Sequence, residues 1–200
     1  MQKTINIFGS SITWGAFDDA GGWVDRLKNY LLKDPQNYSE VYNLGISGDS
    51  TEGLLKRFAL ENEVRNPGVI IIDIGTNDSS YLKSKNGNYV PLDKFERNLI
   101  ELIGQAKKFT NEIIFVGLTS VEDVKTNPVP WETDFSYTNK DVVFYNDKIK
   151  EICEKNELLF INMLDLLKPE DLEDGLHPNS KGHEKMFFRV KDFLEKNKLV

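Results

Sequence analysis

The 200-residue chain has only two histidines, His177 and His183, and only one of them has an acidic neighbour placed to orient it. Asp174 lies three residues before His177 in Asp174-Gly175-Leu176-His177-Pro178. A serine hydroxyl is a poor nucleophile at neutral pH until a nearby base takes its proton as it attacks a carbonyl. In a glycine-containing turn, one carboxylate can accept from one ring nitrogen and leave the other facing a serine. His183 falls inside a predicted helix with no such partner, so it reads as structural. The chemistry indicated is acyl transfer, and the question is which serine takes part. Ser10 and Ser11 stand side by side in Phe8-Gly9-Ser10-Ser11-Ile12-Thr13, while Ser50 ends the tripeptide Gly48-Asp49-Ser50.

Attack on an ester also creates an oxyanion that must meet donors already in place, and losing one such donor raises the barrier by about 2.7 to 4 kcal/mol. Glycine-rich turns after strands can supply them. The amide of Ser11 at the start of a helix, the amide of Gly48 and the side-chain amide of Asn77 are the expected donors. Taken singly, these residues have plainer readings: Ser11 as a helix N-cap, Asn77-Asp78 as a turn pair, Asp174-Gly175 as a turn before Pro178. Their coincidence is what favours a site.

Such residues need a scaffold that gathers them. Short apolar, β-branched runs at 4–8, 41–44, 69–74, 113–118 and 158–161 alternate with stretches of helical period at 23–33, 51–62, 92–109, 140–156 and 180–196. Val69-Ile70-Ile71-Ile72-Asp73-Ile74 is apolar almost without alternation, as expected of a central parallel strand covered on both faces. The pattern predicts a three-layer α/β architecture. Ligands of such sheets bind beyond the carboxyl ends of the strands, and the residues following the predicted strands include Ser11, Gly48, Asn77 and, one turn further on, Asp174 and His177. In the 92–109 helix Leu92, Phe95, Leu99, Leu102, Ile103 and Ala106 form one face, and in the 140–156 helix Val143, Phe144, Ile149, Ile152 and Cys153 are expected to do the same. Segments 81–91 and 120–138 are long, polar and rich in Gly, Pro and aromatics, which marks functional loops. Trp131, Phe135 and Tyr137 are expected to wall a pocket or lid there. Trp14, beside the serine pair, either lines a subsite or, like Trp23, packs the first helix onto the sheet.

Composition narrows the partners. With 40% hydrophobic residues the chain can bury one core, so residues 1–200 are expected to form a single domain. A net charge of -7 disfavours a nucleic-acid surface, which needs clustered cations. The single Cys153 excludes an internal disulfide, and two histidines beside it offer no spacing for a structural zinc, so neither metal nor cofactor is expected. The start MQKTINIFGSS lacks the long apolar segment and cleavage site of a secretory signal, and no run approaches the ~20 apolar residues needed to span a bilayer. A cytoplasmic protein without membrane insertion is expected.

Four ordered blocks, Gly9-Ser10-Ser11-Ile12-Thr13, Asn43-Leu44-Gly45-Ile46-Ser47-Gly48, Gly75-Thr76-Asn77-Asp78 and Asp174-Gly175-Leu176-His177-Pro178, resemble those of the SGNH hydrolases, also called GDSL-type esterases and lipases. The resemblance implies a flavodoxin-like five-stranded parallel sheet of order 2-1-3-4-5 and a serine esterase that acts on a small-molecule ester through an acyl-enzyme, without a cofactor. It assigns Ser11 as nucleophile, His177 as base and Asp174 as its orienting carboxylate. The oxyanion donors it implies are Ser11, Gly48 and Asn77. Gly48-Asp49-Ser50 is then a decoy, with Asp49-Ser50 capping the next helix. Trp14 and Trp131 are the expected substrate-facing aromatics. Ser10 stands where the family usually has Asp, a substitution expected to be tolerated with Ser10 still bonding the local turn. The same site also suits a carbohydrate O-deacetylase or a lysophospholipase. A catalytically silent binding protein and a flavin-binding module are the readings from other classes.

Overall fold

A computed structural model describes residues 3–33 and 38–200; Met1 and Gln2, part of the start read as unlike a secretory signal, lie outside the described residues. The first half of the chain runs β1 (Thr4–Gly9), α1 (Ser11–Trp14), α2 (Gly22–Leu31), β2 (Glu40–Gly45), α3 (Thr51–Glu63) and β3 (Val69–Asp73). It continues through α4 (Thr76–Ser79), β4 (Tyr81–Leu82), β5 (Gly87–Asn88), α5 (Leu92–Ala106), β6 (Ile113–Val116) and α6 (Asp123–Thr126). The last part holds β7 (Phe135–Ser136), α7 (Asn139–Lys155), β8 (Leu159–Ile161) and α8 (Ser180–Lys196).

Five strands form a parallel sheet in the order β2-β1-β3-β6-β8. Counted within that sheet alone, the order is the expected 2-1-3-4-5. Each strand feeds both layers because its side chains alternate. Val69 and Ile71 of β3 join Ile5 and Ile7 of β1 in a core with Trp23, Val24 and Leu27 of α2 and Met186, Val190 and Leu194 of α8. Ile70 and Ile72 face the other way, against Leu54 and Phe58 of α3, Phe95 and Leu99 of α5, and Tyr145 and Ile149 of α7. All five residues of β3 are buried. The absence of polar alternation in that run therefore has a direct cause, two covered faces.

Register decides what happens at the rim. Gly9 is paired with Gly45 on one side and with Asp73 on the other, so β1, β2 and β3 finish level. The turns that follow them, carrying Ser11, Gly48 and Asn77, start from one line.

Two expectations need correction. In α7, Val143 and Phe144 are exposed, at 41% and 60%, and the buried face is Val142, Tyr145, Asn146, Ile149, Ile152 and Cys153. Ile149, Ile152 and Cys153 are buried as expected, the first turn of the stripe is Val142, Tyr145 and Asn146, and Asn146 is satisfied in the interior by accepting from the Leu118 amide at 3.0 Å. Cys153 is a core residue as expected, its thiol pushed up to about 12 by burial. Helix α5 ends at Ala106 rather than 109, and Phe109 packs on the core from the turn beyond. Loops 81–91 and 120–138 are not separate: their two-residue strands pair as a small antiparallel sheet, β5-β4-β7. Strands that short leave no period to read. Among the described residues no helix is long and apolar enough to cross a membrane.

Candidate active site

Ser11 is the first residue of α1, set immediately past β1. The entry turn is tight: a Cβ on Gly9 would lie 2.4 Å from the carbonyl oxygen of Asp73 and 1.9 Å from Thr13 Oγ1, so only glycine lets the chain pass. Thr13 Oγ1 donates to Asp73 Oδ2 at 2.8 Å and ties α1 to the end of β3. Ser10 is buried at the N-cap position but makes no side-chain cap bond; its carbonyl accepts from the Trp14 amide at 2.9 Å. It bonds the local turn through its backbone carbonyl.

The His177 ring has a partner at each nitrogen. Nδ1 lies 2.7 Å from Asp174 Oδ2 and Nε2 lies 2.9 Å from Ser11 Oγ. An ionised carboxylate only accepts, which assigns the proton to Nδ1 and leaves Nε2 to accept from the Ser11 hydroxyl. Asp174 is itself pinned: its Oδ1 accepts from the amides of Leu176 at 2.9 Å and His177 at 2.8 Å. Burial pushes its carboxyl up, but the bonds from the His177 side chain and backbone outweigh this and hold it below the usual carboxylate range. The turn depends on Gly175, which sits at φ 88°, and a Cβ there would meet Lys125 Cβ at 2.7 Å.

Gly48, at φ 77°, and Asn77 line the same cavity as Ser11. Asn77 Nδ2 donates to the Asp49 carbonyl at 2.8 Å, and its Oδ1 accepts from Tyr137 OH at 3.0 Å. The Asp49 carboxylate accepts from Arg57 Nε at 3.0 Å and Nη2 at 2.8 Å. Ser50 holds the N-cap position of α3 and Asp49 Oδ1 accepts from its amide at 3.1 Å, but the Ser50 side chain makes no cap bond. Asp78 does that work from the third block, accepting from the Thr51 amide at 3.0 Å and from the Thr51 hydroxyl. Burial raises its carboxyl to about 6. The correction has a physical reason, because a buried helix start is satisfied by whichever acceptor the packing brings to it.

Ser11, Gly48, Asn77, Tyr137 and His177 share a cavity of about 320 Å³, with Phe17 and Trp131 on its walls. A second cavity of about 220 Å³ adjoins it through Gly48, Asn77, Trp131 and Tyr137 and adds Tyr89, Val129, Glu132 and Phe135. Trp131, Phe135 and Tyr137 thus wall a pocket, as the loop composition implied. Rings of Phe17 and Trp131 approach His177 at 5.5 and 6.3 Å. Trp14 is 58% exposed and lines neither cavity; Phe17 takes the place expected of it. Trp23 is fully buried and packs α2 on the sheet.

His183 is fully buried, donating from Nε2 to the Ala16 carbonyl at 2.9 Å and accepting at Nδ1 from the Trp23 amide at 3.3 Å. Burial lowers its pKa, against the pull of the Ala16 bond. Ser50, the decoy, is buried at the start of α3 and lines neither cavity. Sequence reasoning missed Phe17, Tyr89 and the bond from Tyr137 to Asn77, because loop residues far apart in the chain carry no shared period. Among the described residues no group of three His, Cys, Asp or Glu is placed to hold a metal ion.

A five-stranded sheet of this order, with a serine, an imidazole and amide donors collected at its carboxyl rim, describes an ester-hydrolysing α/β enzyme. The chain belongs to the GDSL-like lipase/acylhydrolase family, whose model matches residues 7–185. It is 24% identical to the rat isoamyl acetate-hydrolyzing esterase 1 homolog over 212 residues, covering 95% of this chain and 80% of that protein. An acetylxylan esterase from Geobacillus stearothermophilus is 27% identical over 163 residues, covering 74% of this chain and 69% of that one. Among solved structures, a lipase/acylhydrolase from Enterococcus faecalis superposes with a TM-score of 0.80 at 21% identity, covering 98% of this chain and 96% of that one. Catalytic mutants of the Geobacillus enzyme replace a serine, an aspartate and a histidine, and one of them superposes with a TM-score of 0.76 at 22% identity, covering 96% of this chain and 93% of that one. The protein is a carboxylic ester hydrolase of this family.

Proposed function

We propose that the enzyme hydrolyses small carboxylic esters through Ser11, His177 and Asp174. The observation that carries this reading is the unbroken series from Ser11 Oγ to His177 Nε2 at 2.9 Å and from Nδ1 to Asp174 Oδ2 at 2.7 Å. Ser11 Oγ attacks the ester carbonyl as its proton passes to Nε2, and Asp174 stabilises the imidazolium that forms. The oxyanion is met by the amides of Ser11 and Gly48 and by the Asn77 N–H that Asp49 does not use. The tetrahedral centre collapses, the bond to the alcohol oxygen breaks, and His177 returns the proton to the leaving alcohol. Water then attacks the acyl-enzyme with His177 again as base, releasing the acid and restoring Ser11.

The alcohol leaves beside His177, between the exposed rings of Phe17 and Trp131. Flat aromatic faces there favour a ring-shaped alcohol such as a sugar over the glycerol of a lysophospholipid, so O-acetylated carbohydrate is the second reading. The name of the Geobacillus relative supports it. A silent binding protein is disfavoured by the Ser11 to His177 contact. Ser11→Ala should reduce hydrolysis of p-nitrophenyl acetate to background and abolish labelling by a fluorophosphonate. Undiminished turnover in that variant would remove Ser11 from the mechanism, and an unlabelled wild type would point to the silent reading.

A further inference from the structure

We propose that Tyr137, which no motif block contains, is a positioning residue that aims the Asn77 side-chain amide at the oxyanion. The inference rests on the Ser11 mechanism above. A primary amide has a donor end and an acceptor end, and its terminal torsion is broad, so something must choose which end faces the crevice. Tyr137 OH donates to Asn77 Oδ1 at 3.0 Å, and Asn77 Nδ2 donates to the Asp49 carbonyl at 2.8 Å. Rotating the amide by half a turn would place Oδ1 against the Asp49 carbonyl, two acceptors face to face. The two bonds therefore select one orientation, which uses one Nδ2 hydrogen and leaves the second at a residue that lines the cavity with Ser11 and Gly48. Without the tyrosine hydroxyl, only the Asp49 bond resists rotation.

Tyr137 is suited to the task because it is itself held. Its amide donates to the Thr126 carbonyl at 2.8 Å, and its carbonyl accepts from Thr126 Oγ1 at 2.7 Å. Thr126 is fully buried, and the same loop bonds the His177 turn, where the Glu122 amide donates to the Gly175 carbonyl at 2.8 Å. Segment 120–138 thus braces the turn that carries the imidazole and the amide that meets the oxyanion. Burial pushes the Tyr137 phenol up to about 12, so it stays a donor at every pH at which the enzyme would work.

The test is a double-mutant cycle on p-nitrophenyl acetate with Tyr137→Phe, Asn77→Ala and the pair, and with Ser11→Ala as control. Tyr137→Phe keeps the ring and removes only the hydroxyl. It should lower kcat about tenfold with KM within about twofold, while Asn77→Ala costs ~10²-fold or more as an oxyanion donor is lost. The double variant should be no slower than Asn77→Ala within about twofold, because Tyr137 acts only through that amide. Affinity for a trifluoromethyl ketone should fall with kcat/KM across the series. Wild-type kcat in Tyr137→Phe, or losses that multiply in the double variant, would overturn the proposal. Turnover surviving Ser11→Ala would instead defeat the mechanism on which it rests.

Discussion

The two histidines lie six residues apart and each has both ring nitrogens engaged, yet they occupy opposite kinds of environment. His177 sits on a turn at the sheet rim between a carboxylate and a hydroxyl, and its side chain keeps 15% of its surface. His183 is locked in the interior between the Ala16 carbonyl and the Trp23 amide. One ring bonds partners that can exchange a proton. The other bonds only backbone, where a neutral imidazole serves as a linker and a charged one would be penalised. What separates them is the partner at each nitrogen and access to the cavity, not the ring.

The contrast can be broken most sharply at His177. His177→Ala should lower kcat/KM for p-nitrophenyl acetate by ~10⁴-fold or more with little change in the thermal midpoint. A loss under tenfold would place the base elsewhere. Next is Asp174→Asn, which keeps the shape but removes the charge and favours the wrong ring tautomer; up to ~10⁴-fold in kcat is expected, and a rate near wild type would reduce Asp174 to a turn residue. His183→Ala should show the converse pattern, losing ~2 to 3 kcal/mol of stability by urea titration while activity stays within severalfold. Because burial depresses the His183 pKa, its contribution is complete above about pH 6.5 and is lost as pH falls through the folded value. A Gln at that position should lose this acid sensitivity.

The rim carboxylates extend the comparison. Asp174 is held below the usual range, whereas burial raises Asp73, opposed by its bond from Thr13, to about 6. A raised acid stabilises the fold fully below its unfolded value near 3.8 and loses that contribution as pH rises through about 6. Wild type should therefore lose up to ~3 kcal/mol between pH 4 and 7 relative to Asp73→Asn. Parallel urea midpoints for the two proteins across that range would show that Asp73 is solvated. The smallest effect is expected at Trp131→Ala: a rise of about threefold to tenfold in KM for an acetylated sugar with kcat retained, since the ring borders His177 without bonding it. An equal change for acetylated sugar and p-nitrophenyl acetate would count against a sugar-stacking role.

Much of the fold was legible because burial leaves local traces. The apolar run of β3 reports two covered faces, and the spacing in α5 reports one. Only the first turn of the α7 stripe was misplaced, because Val143 and Phe144 are as apolar as the residues that are buried, and composition does not say which side meets the sheet. At the site, the Asp174–His177 pair was readable because the two residues lie three apart in one turn and bond each other locally. Tyr137 was expected to wall a pocket, but its hydroxyl bond to Asn77 spans 60 residues and has no signature in either segment.

By itself, the sequence determined the alternation of strands and helices, the family's four blocks, and which histidine carries a carboxylate beside it, since each is set by neighbours a few residues apart. Tertiary structure alone decided that Phe17 rather than Trp14 borders the imidazole, that the Asp78 rather than the Ser50 side chain accepts from the first amide of α3, and that loop 120–138 reaches the Asn77 amide. Those contacts depend on strand register and on loops packing against each other, and such long-range geometry is fixed only when the whole core closes.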